Sequence, residues 1–234
     1  VPRMLKKRIV FLGPPGSGKG TYSTRLAGLL GLPHISTGDI FREAVEQGTE
    51  LGRKVNEYLS RGELVPDEIT ITVLKERITS PDCEKGFILD GYPRTISQAK
   101  ALDRLARIDV VIDLKIHEKI LIEKLSARRI CENCGEIYNV ADIKETIDGV
   151  KYDMPPMLPR TPGVCDRCGG KLIQRNDDSV RVVRARLKLY RRQTEPLIRY
   201  YRKMGVVEEI LVHAGPEVVV PQLMERLKTH ESGS

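Results

Sequence analysis

Three stretches of this 234-residue chain combine residue types and spacings that can do chemistry. The first is Gly13-Pro14-Pro15-Gly16-Ser17-Gly18-Lys19-Gly20-Thr21. Glycines let the backbone curl until successive N–H groups point at one centre, a following helix adds positive potential at its N-terminus, and Lys19 reaches the outer phosphates of a bound polyanion. The stretch reads as a triphosphate cradle. A plain Gly-rich turn would explain the chain reversal but not a Lys beside Gly at that offset. Gly20 stands where most such loops carry the Ser or Thr that ligates Mg²⁺, so the ion is expected to be held largely by phosphate oxygens and water. The second stretch, Phe87-Ile88-Leu89-Asp90-Gly91, ends an apolar run on a carboxylate. Asp90 is placed either to orient a metal-bound water or to cap a turn with Gly91, and Arg94 in the adjacent Tyr92-Pro93-Arg94-Thr95 faces the same crevice. The third is a pair of C-x-x-C-G knuckles, Cys131/Cys134 and Cys165/Cys168, with 30 residues between them. Four such thiolates suit a closed, structural Zn²⁺ site, with redox disulfides as the alternative. Cys83 stands alone and reads as a plain loop or core thiol.

These residues need a scaffold. Short continuous apolar runs at Arg8–Leu12, Gly86–Asp90, Asp109–Leu114 and Val206–Val212 alternate with amphipathic segments, the first of them a helix from about Lys19 to Leu30. Runs buried on both faces imply a parallel sheet covered by helices, so the fold class is α/β. Two segments interrupt the rhythm. Residues 36–65 open on a Ser-Thr-Gly-Asp cap and suit two short helices; residues 127–178 carry both Cys pairs and the Pro-rich stretch Met154–Pro162. Both read as lobes inserted into one core made of 1–35, 66–126 and 179–234. Residues 140–164 are expected to form an extra loop or extended hairpin. Ser179–Met204 reads as one long helix with Val183, Leu187, Tyr190, Leu197, Ile198 and Tyr201 on one face.

Composition narrows the function class. The chain is 40% hydrophobic and 30% charged, which excludes a disordered or collagen-like polymer, and it carries a net charge of +7, which points to anionic partners. Aromatics make up 5%, with no Trp, so platforms for stacking single-stranded bases are sparse. No apolar run is long enough to span a bilayer and no secretory layout opens the chain; the expected location is the cytoplasm, without nucleic-acid or membrane partners.

In order along the chain, Gly13–Thr21 as GPPGSGKGT, Ser36–Asp39 as STGD, Leu64–Glu68 as LVPDE, Asp90–Thr95 as DGYPRT and the paired Cys make the sequence resemble adenylate kinases, in the long-lid form that carries a metal. The resemblance implies a P-loop three-layer α/β/α fold with a parallel, five-stranded sheet, an inserted helical lobe for the nucleoside monophosphate and a zinc-bearing lid. It implies reversible, Mg²⁺-dependent transfer of the γ-phosphoryl of ATP to AMP by a monomer. It places Gly16, Ser17, Gly18, Lys19, Gly20, Thr21, Arg128, Ile137, Tyr138 and Pro216 at ATP. It places Thr37, Arg42, Glu63, Leu64, Val65, Gly91, Tyr92, Pro93, Arg94, Gln98, Arg175 and Arg186 at AMP. Arg128 and Arg175 reach the ATP phosphates from the lid, Arg186 crosses the centre, and Lys19, Asp90, Arg94, Arg128, Arg175 and Arg186 form the catalytic set. A carboxamide at Gln98 suits that role, because it can donate to and accept from the Watson–Crick edge of adenine, while apart from the resemblance Gln98 reads as an ordinary exposed helix residue.

Three positions depart from the family's pattern. Lys124 stands where an Arg is common, and a lysine cannot stack as a planar guanidinium does. Val180-Arg181-Val182 replaces an acidic run after the lid, and His213-Ala214-Gly215-Pro216 replaces an Asp-Gly turn near the donor base. Two rival readings stay open: a kinase for UMP or CMP, and a nucleic-acid-binding zinc-ribbon ATPase.

Overall fold

The computed structural model describes residues 8–61, 63–175 and 178–229; the parts of the expected lobe and core bounds that fall on 1–7, 62, 176–177 and 230–234 lie outside the described residues. In chain order the elements are β1 (Arg8–Leu12), α1 (Lys19–Leu30), β2 (His34–Ser36), α2 (Thr37–Glu46), α3 (Glu50–Ser60), α4 (Asp67–Ile78), β3 (Phe87–Asp90), α5 (Ile96–Leu105), β4 (Val110–Lys115) and α6 (Glu118–Ser126). Then come β5 (Arg128–Cys131), β6 (Ile137–Asn139), β7 (Ile143–Ile147), β8 (Val150–Met154), β9 (Leu172–Ile173), α7 (Val180–Gln193), α8 (Glu195–Arg202), β10 (Val207–Leu211) and α9 (Pro216–Thr229).

Five strands form one parallel sheet in the order β10-β4-β1-β3-β2. Residues along β1 alternate between two apolar layers. Ile9 and Phe11 pack with Tyr22 and Leu26 of α1 and with Val219 and Leu223 of α9. Val10 and Leu12 pack with Leu74 of α4, Leu102 of α5 and Leu197 and Tyr201 of α8. Side chains of period two can feed two helical layers only if both faces are covered, so the three-layer α/β/α class follows from the packing. Each such fully buried side chain contributes about 1.5–3 kcal/mol of transfer free energy, so the strand under the phosphate loop is firmly held from both faces.

The sheet departs from the sequence reading at one strand. His34–Ser36 pairs with β3 at the sheet's edge, and its three residues are too few to show a periodic signal. Ser36 is both the end of β2 and the cap expected for α2, its hydroxyl accepting from Asp39 N at 3.2 Å. The long helix expected over Ser179–Met204 is a correction: it is two helices, broken at Thr194, because Pro196 in the first turn of α8 has no N–H to continue the ladder.

In the second insertion, β5, β6 and β9 form a small antiparallel sheet that carries the cysteines, and the stretch expected as a loop or hairpin contains the hairpin β7–β8. Its turn places Asp148 and Gly149 both at positive φ, the backbone that a two-residue hairpin with the natural strand twist requires.

Candidate functional site

The phosphate loop leaves β1 at the sheet's carboxyl edge, where the chain reverses its direction of travel across the sheet: β3 and β2 lie on one side of β1, β4 and β10 on the other. That is where an open parallel sheet leaves a crevice between loops. The loop's shape depends on missing side chains. Gly16 sits at φ +85°, and a Cβ there would lie 2.6 Å from a Leu125 carbon. A side chain is thereby excluded at that point of the loop, while Ser17 beside it is fully buried.

One cleft above this edge is lined by Lys19, Arg42, Arg94, Arg128, Arg175 and Arg186, against Asp39 and Asp90. The ammonium of Lys19 turns back on its own loop, donating to Gly13 O at 2.6 Å and Pro14 O at 2.9 Å. Burial, reinforced by the charges of Arg94, Arg186 and Arg128 and opposed by Asp90, pushes its pKa down to about 8. Arg94 is pushed below the usual guanidinium range by burial first and then by Arg186 and Arg42, with Asp90 opposing. So the cations form one electrostatically connected row from Arg42 through Arg94 and Arg186 to Lys19 and Arg128. Placing like charges together in a partly buried crevice costs free energy in folding, and an entering polyanion recovers it.

Four of the arginines are aimed by a neighbour. Arg94 Nε donates to Gly91 O at 2.7 Å, and Thr37 Oγ1 donates to the same carbonyl at 3.1 Å. Arg42 is paired with Asp39 one helical turn earlier. Arg128 grips Asp178 with two bonds, Nε–Oδ2 at 2.9 Å and Nη2–Oδ1 at 2.6 Å, and Arg186 Nη1 lies 3.6 Å from Asp178 Oδ1. Asp178, fully buried, therefore joins the start of the lid sheet to its exit. Asp90 ends β3 with His34 Nε2 3.8 Å away, and a Cβ at Gly20 would stand 3.4 Å from Asp90 Oδ2. The bare glycine leaves that carboxylate oxygen facing the loop. A hard oxygen donor beside a phosphate cradle fits a hydrated Mg²⁺.

The other expected residues divide between the cleft and its surroundings. Gly16, Gly18, Gly20, Thr21, Ile137, Gly91, Pro93 and Pro216 line the cleft. Thr37, Tyr92 and Gln98 lie just behind it. Glu63, Leu64 and Val65 form the turn into α4, with Val65 packed in the apolar cluster of the first insertion. Gln98 is 2% exposed and fully engaged: its Oε1 accepts from Arg94 N at 2.7 Å and its Nε2 donates to Asp67 Oδ1 at 2.7 Å. Tyr138 points into the lid, its hydroxyl donating to Cys165 Sγ at 3.7 Å and accepting from Asp166 N at 2.8 Å. The sequence reading assigned no role to Asp178, Asp67 or Asp39. For the last two the signal was present, since both sit inside the quoted LVPDE and STGD stretches beside residues that need aiming; Asp178 was marked only by an acidic pair in an otherwise basic region.

The four lid thiols lie within 4.8 Å of one another. The closest approaches, Cys131–Cys168 at 3.4 Å and Cys134–Cys165 at 3.6 Å, far exceed the ~2.05 Å of a disulfide and approach the roughly 3.8 Å edge of a tetrahedron of sulfurs around zinc. Burial works against the Cys165 thiolate. The backbone N–H groups of Cys168 and Arg167 and the Tyr138 hydroxyl nevertheless outweigh it and bring that thiol to about 6. Tyr138, packed against the thiols, is buried at 7% exposure and presents no face to solvent. Among the described residues no helix is long and apolar enough to cross a membrane.

A sequence model of the family described as adenylate kinase matches residues 11–206. The chain is 51% identical over 200 residues to the adenylate kinase of Thermosipho melanesiensis, covering 83% of this chain and 87% of that one. It is 47% identical over 207 residues to the adenylate kinase of Archaeoglobus fulgidus, covering 86% and 89%. Over 226 residues it is 46% identical to that of Streptomyces coelicolor, covering 94% and 98%.

Proposed function

The chain belongs to the adenylate kinase family, and from that premise we propose that it transfers the terminal phosphoryl group of ATP reversibly to AMP, giving two ADP. The observation that carries this reading is the continuous row of cations in one cleft, with the phosphate loop toward one end and Arg42 and Arg94 toward the other. Two polyanions repel each other in water; a crevice of fixed positive groups aligns them and keeps solvent from accepting the phosphoryl group. Lys19 and the loop amides hold the ATP phosphates. Arg42 and Arg94 hold the AMP phosphate, whose oxygen attacks the γ-phosphorus as the bond to the β-phosphate oxygen breaks. Arg128, Arg175 and Arg186 neutralise the charge that spreads over the transferring group. Asp90, at the end of β3 beside the loop, would help to hold a hydrated Mg²⁺, which would supply further charge neutralisation. Gln98, aimed by Asp67 and Arg94 N, reads the AMP base by exchanging one of these partners for it.

The test is ADP formation from ATP plus AMP, with and without Mg²⁺, then with CMP, UMP or GMP as acceptor. Dependence on Mg²⁺ and on AMP supports the reading. Preference for a pyrimidine acceptor refutes the acceptor assignment, and salt-sensitive retention of RNA or DNA without ADP formation refutes the whole reading. We place the reaction in the cytoplasm, with both nucleotide subsites on one monomer.

Lys19 adds a proton-linkage prediction. Above pH 8 the free chain holds much of this ammonium neutral, and a triphosphate beside it favours the charged form, so ATP binding takes up a proton. Calorimetry at about pH 8.5 in two buffers of different ionisation enthalpy is expected to show net uptake that falls sharply in Lys19→Met; release instead of uptake would reverse the assignment.

We propose that Cys131, Cys134, Cys165 and Cys168 would hold a structural Zn²⁺, which would tie the small lid sheet together, four thiolates being the donor set of a closed site. Replacing Cys131 and Cys134 together by Ser is expected to lower Tm by several degrees and abolish stoichiometric zinc, while turnover persists at low temperature. Zinc loss with an intact fold and no turnover at any temperature would mean that the metal does more than hold the lid.

A further inference from the structure

The hairpin β7–β8 lies between the two Cys pairs in sequence, yet it docks on the core. Its outer face is polar, with Lys144, Thr146, Lys151 and Asp153. Its inner face presents Ile143, Ile147, Val150, Tyr152 and Met154 to the apolar layer shared by α1, α9 and β4. Ile143, Tyr152 and Met154 are 2%, 3% and 5% exposed, so this is core packing rather than a resting contact. Polar contacts fix the register. Asp153 N donates to His213 O at 2.9 Å, His117 N donates to the Tyr152 hydroxyl at 3.3 Å, Lys119 pairs with Glu145, and Asp153 bridges Ala214 in parallel.

This docking places the open end of the hairpin on the catalytic cleft. Ile143, Met154 and Met157 line it together with Lys124, Gly215 and Pro216. The polar groups nearby are already spent: Asn139 Nδ2 donates to Lys124 O at 2.8 Å, its Oδ1 accepts from Ala141 N at 3.0 Å, and the His213 carbonyl holds the hairpin. What remains along the cleft is an aliphatic and thioether lining, of which Met157 is half-buried and Ile143 and Met154 show only their edges, with one ammonium, Lys124, which burial pushes down to about 8.

We propose that the inserted hairpin is a wall of the donor-nucleoside subsite, with Ile143 and Met154 covering the face of the ATP base. This rests on the donor and acceptor ends assigned above. On that assignment the loop holds the triphosphate with its outer phosphate toward Arg94, and the hairpin's open end, Lys124, Gly215 and Pro216 line the rest of the same cleft, where the nucleoside would lie. A flat heterocycle gains dispersion and desolvation on such a surface, and thioether sulfur packs well against aromatic rings. The wall is anchored on the core as well as on the lid, so it is in place when ATP arrives.

The test is carried out on the whole protein labelled at its methionine methyls and titrated separately with ATP and with inorganic tripolyphosphate, which has the phosphates but no base. The Met154 methyl resonance is expected to move with ATP and to stay with tripolyphosphate, while Met204, exposed in the turn that follows α8 and outside the cleft lining, stays in both. In parallel, Met154→Ala is expected to raise KM for ATP roughly tenfold with KM for AMP little changed, as the loss of a few buried methyl-sized groups implies. A Met154 resonance unmoved at ATP concentrations that saturate turnover overturns the inference, as does a donor KM within about twofold of the parent in a folded variant. If the variant does not fold, the resonance measurement on the parent chain decides alone. Absence of ADP formation by the parent chain would instead count against the reading of the reaction, a failure distinct from an unmoved methyl.

Discussion

Lys19→Met is expected to slow phosphoryl transfer by about three orders of magnitude, the size of effect seen when one well-aimed donor to a developing charge is removed. Methionine approximates the length and volume of the lysine stem, so the loop keeps its filling while the ammonium is lost. The electrostatic neighbourhood predicts what happens to the fold. In the free chain this charge is held against burial and against Arg94, Arg186 and Arg128, and its pKa of about 8 records that cost. Removing it relieves the repulsion but forfeits two bonds to Gly13 O and Pro14 O. Tm is therefore expected to hold or rise, while turnover collapses. Thermal melts and steady-state rates on one preparation check both, and a variant that loses stability together with activity would mean that Lys19 serves the loop's shape.

Arg94→Ala should cut kcat/KM for AMP by two to four orders of magnitude, on the order expected when a charge-assisted phosphate contact in a desolvated site is lost. Its side chain is aimed through Nε to Gly91 O, and Thr194 Oγ1 donates to its backbone carbonyl at 3.0 Å, so position and direction are both fixed by the core. Arg94→Lys should recover little, because a lysine cannot bond Gly91 O while presenting a planar pair of donors to phosphate. ATP binding, measured without AMP, should weaken far less. Equal loss of ATP and AMP affinity would place Arg94 at the centre of the row rather than at its acceptor end, and unchanged turnover would remove it from the site.

Legibility in the sequence followed the range of the interactions. The phosphate loop, the carboxylate of β3 and the cysteine knuckles are contiguous motifs whose chemistry depends on spacing alone. The parallel sheet showed itself because β1, β3 and β4 are buried on both faces and so lack the alternation of a solvated strand. What stayed hidden depends on partners distant in the chain. Asp178 lies 50 residues from Arg128, and no local pattern announces the pair. The hairpin's alternation could show that one face is buried, but not that the face belongs to the core layer beneath α9. Tyr138 occupies a position where a cleft contact was expected, and the thiols of its own lobe claim it instead. The break at Thr194 was legible through Pro196 and was overridden in the reading by an apolar stripe running through both helices.

The double grip of Arg128 on Asp178 has a consequence for affinity. A guanidinium that waits in water must surrender its rotamer freedom when a ligand arrives, at about 0.5–1.5 kcal/mol for a side chain of this length. Here that surrender happens during folding, and the two N–H groups used on the carboxylate leave others of the planar fork unspent and already oriented. On the proposed reading Asp178 would be a resident counter-ion that lets the arginine meet the nucleotide without first becoming ordered.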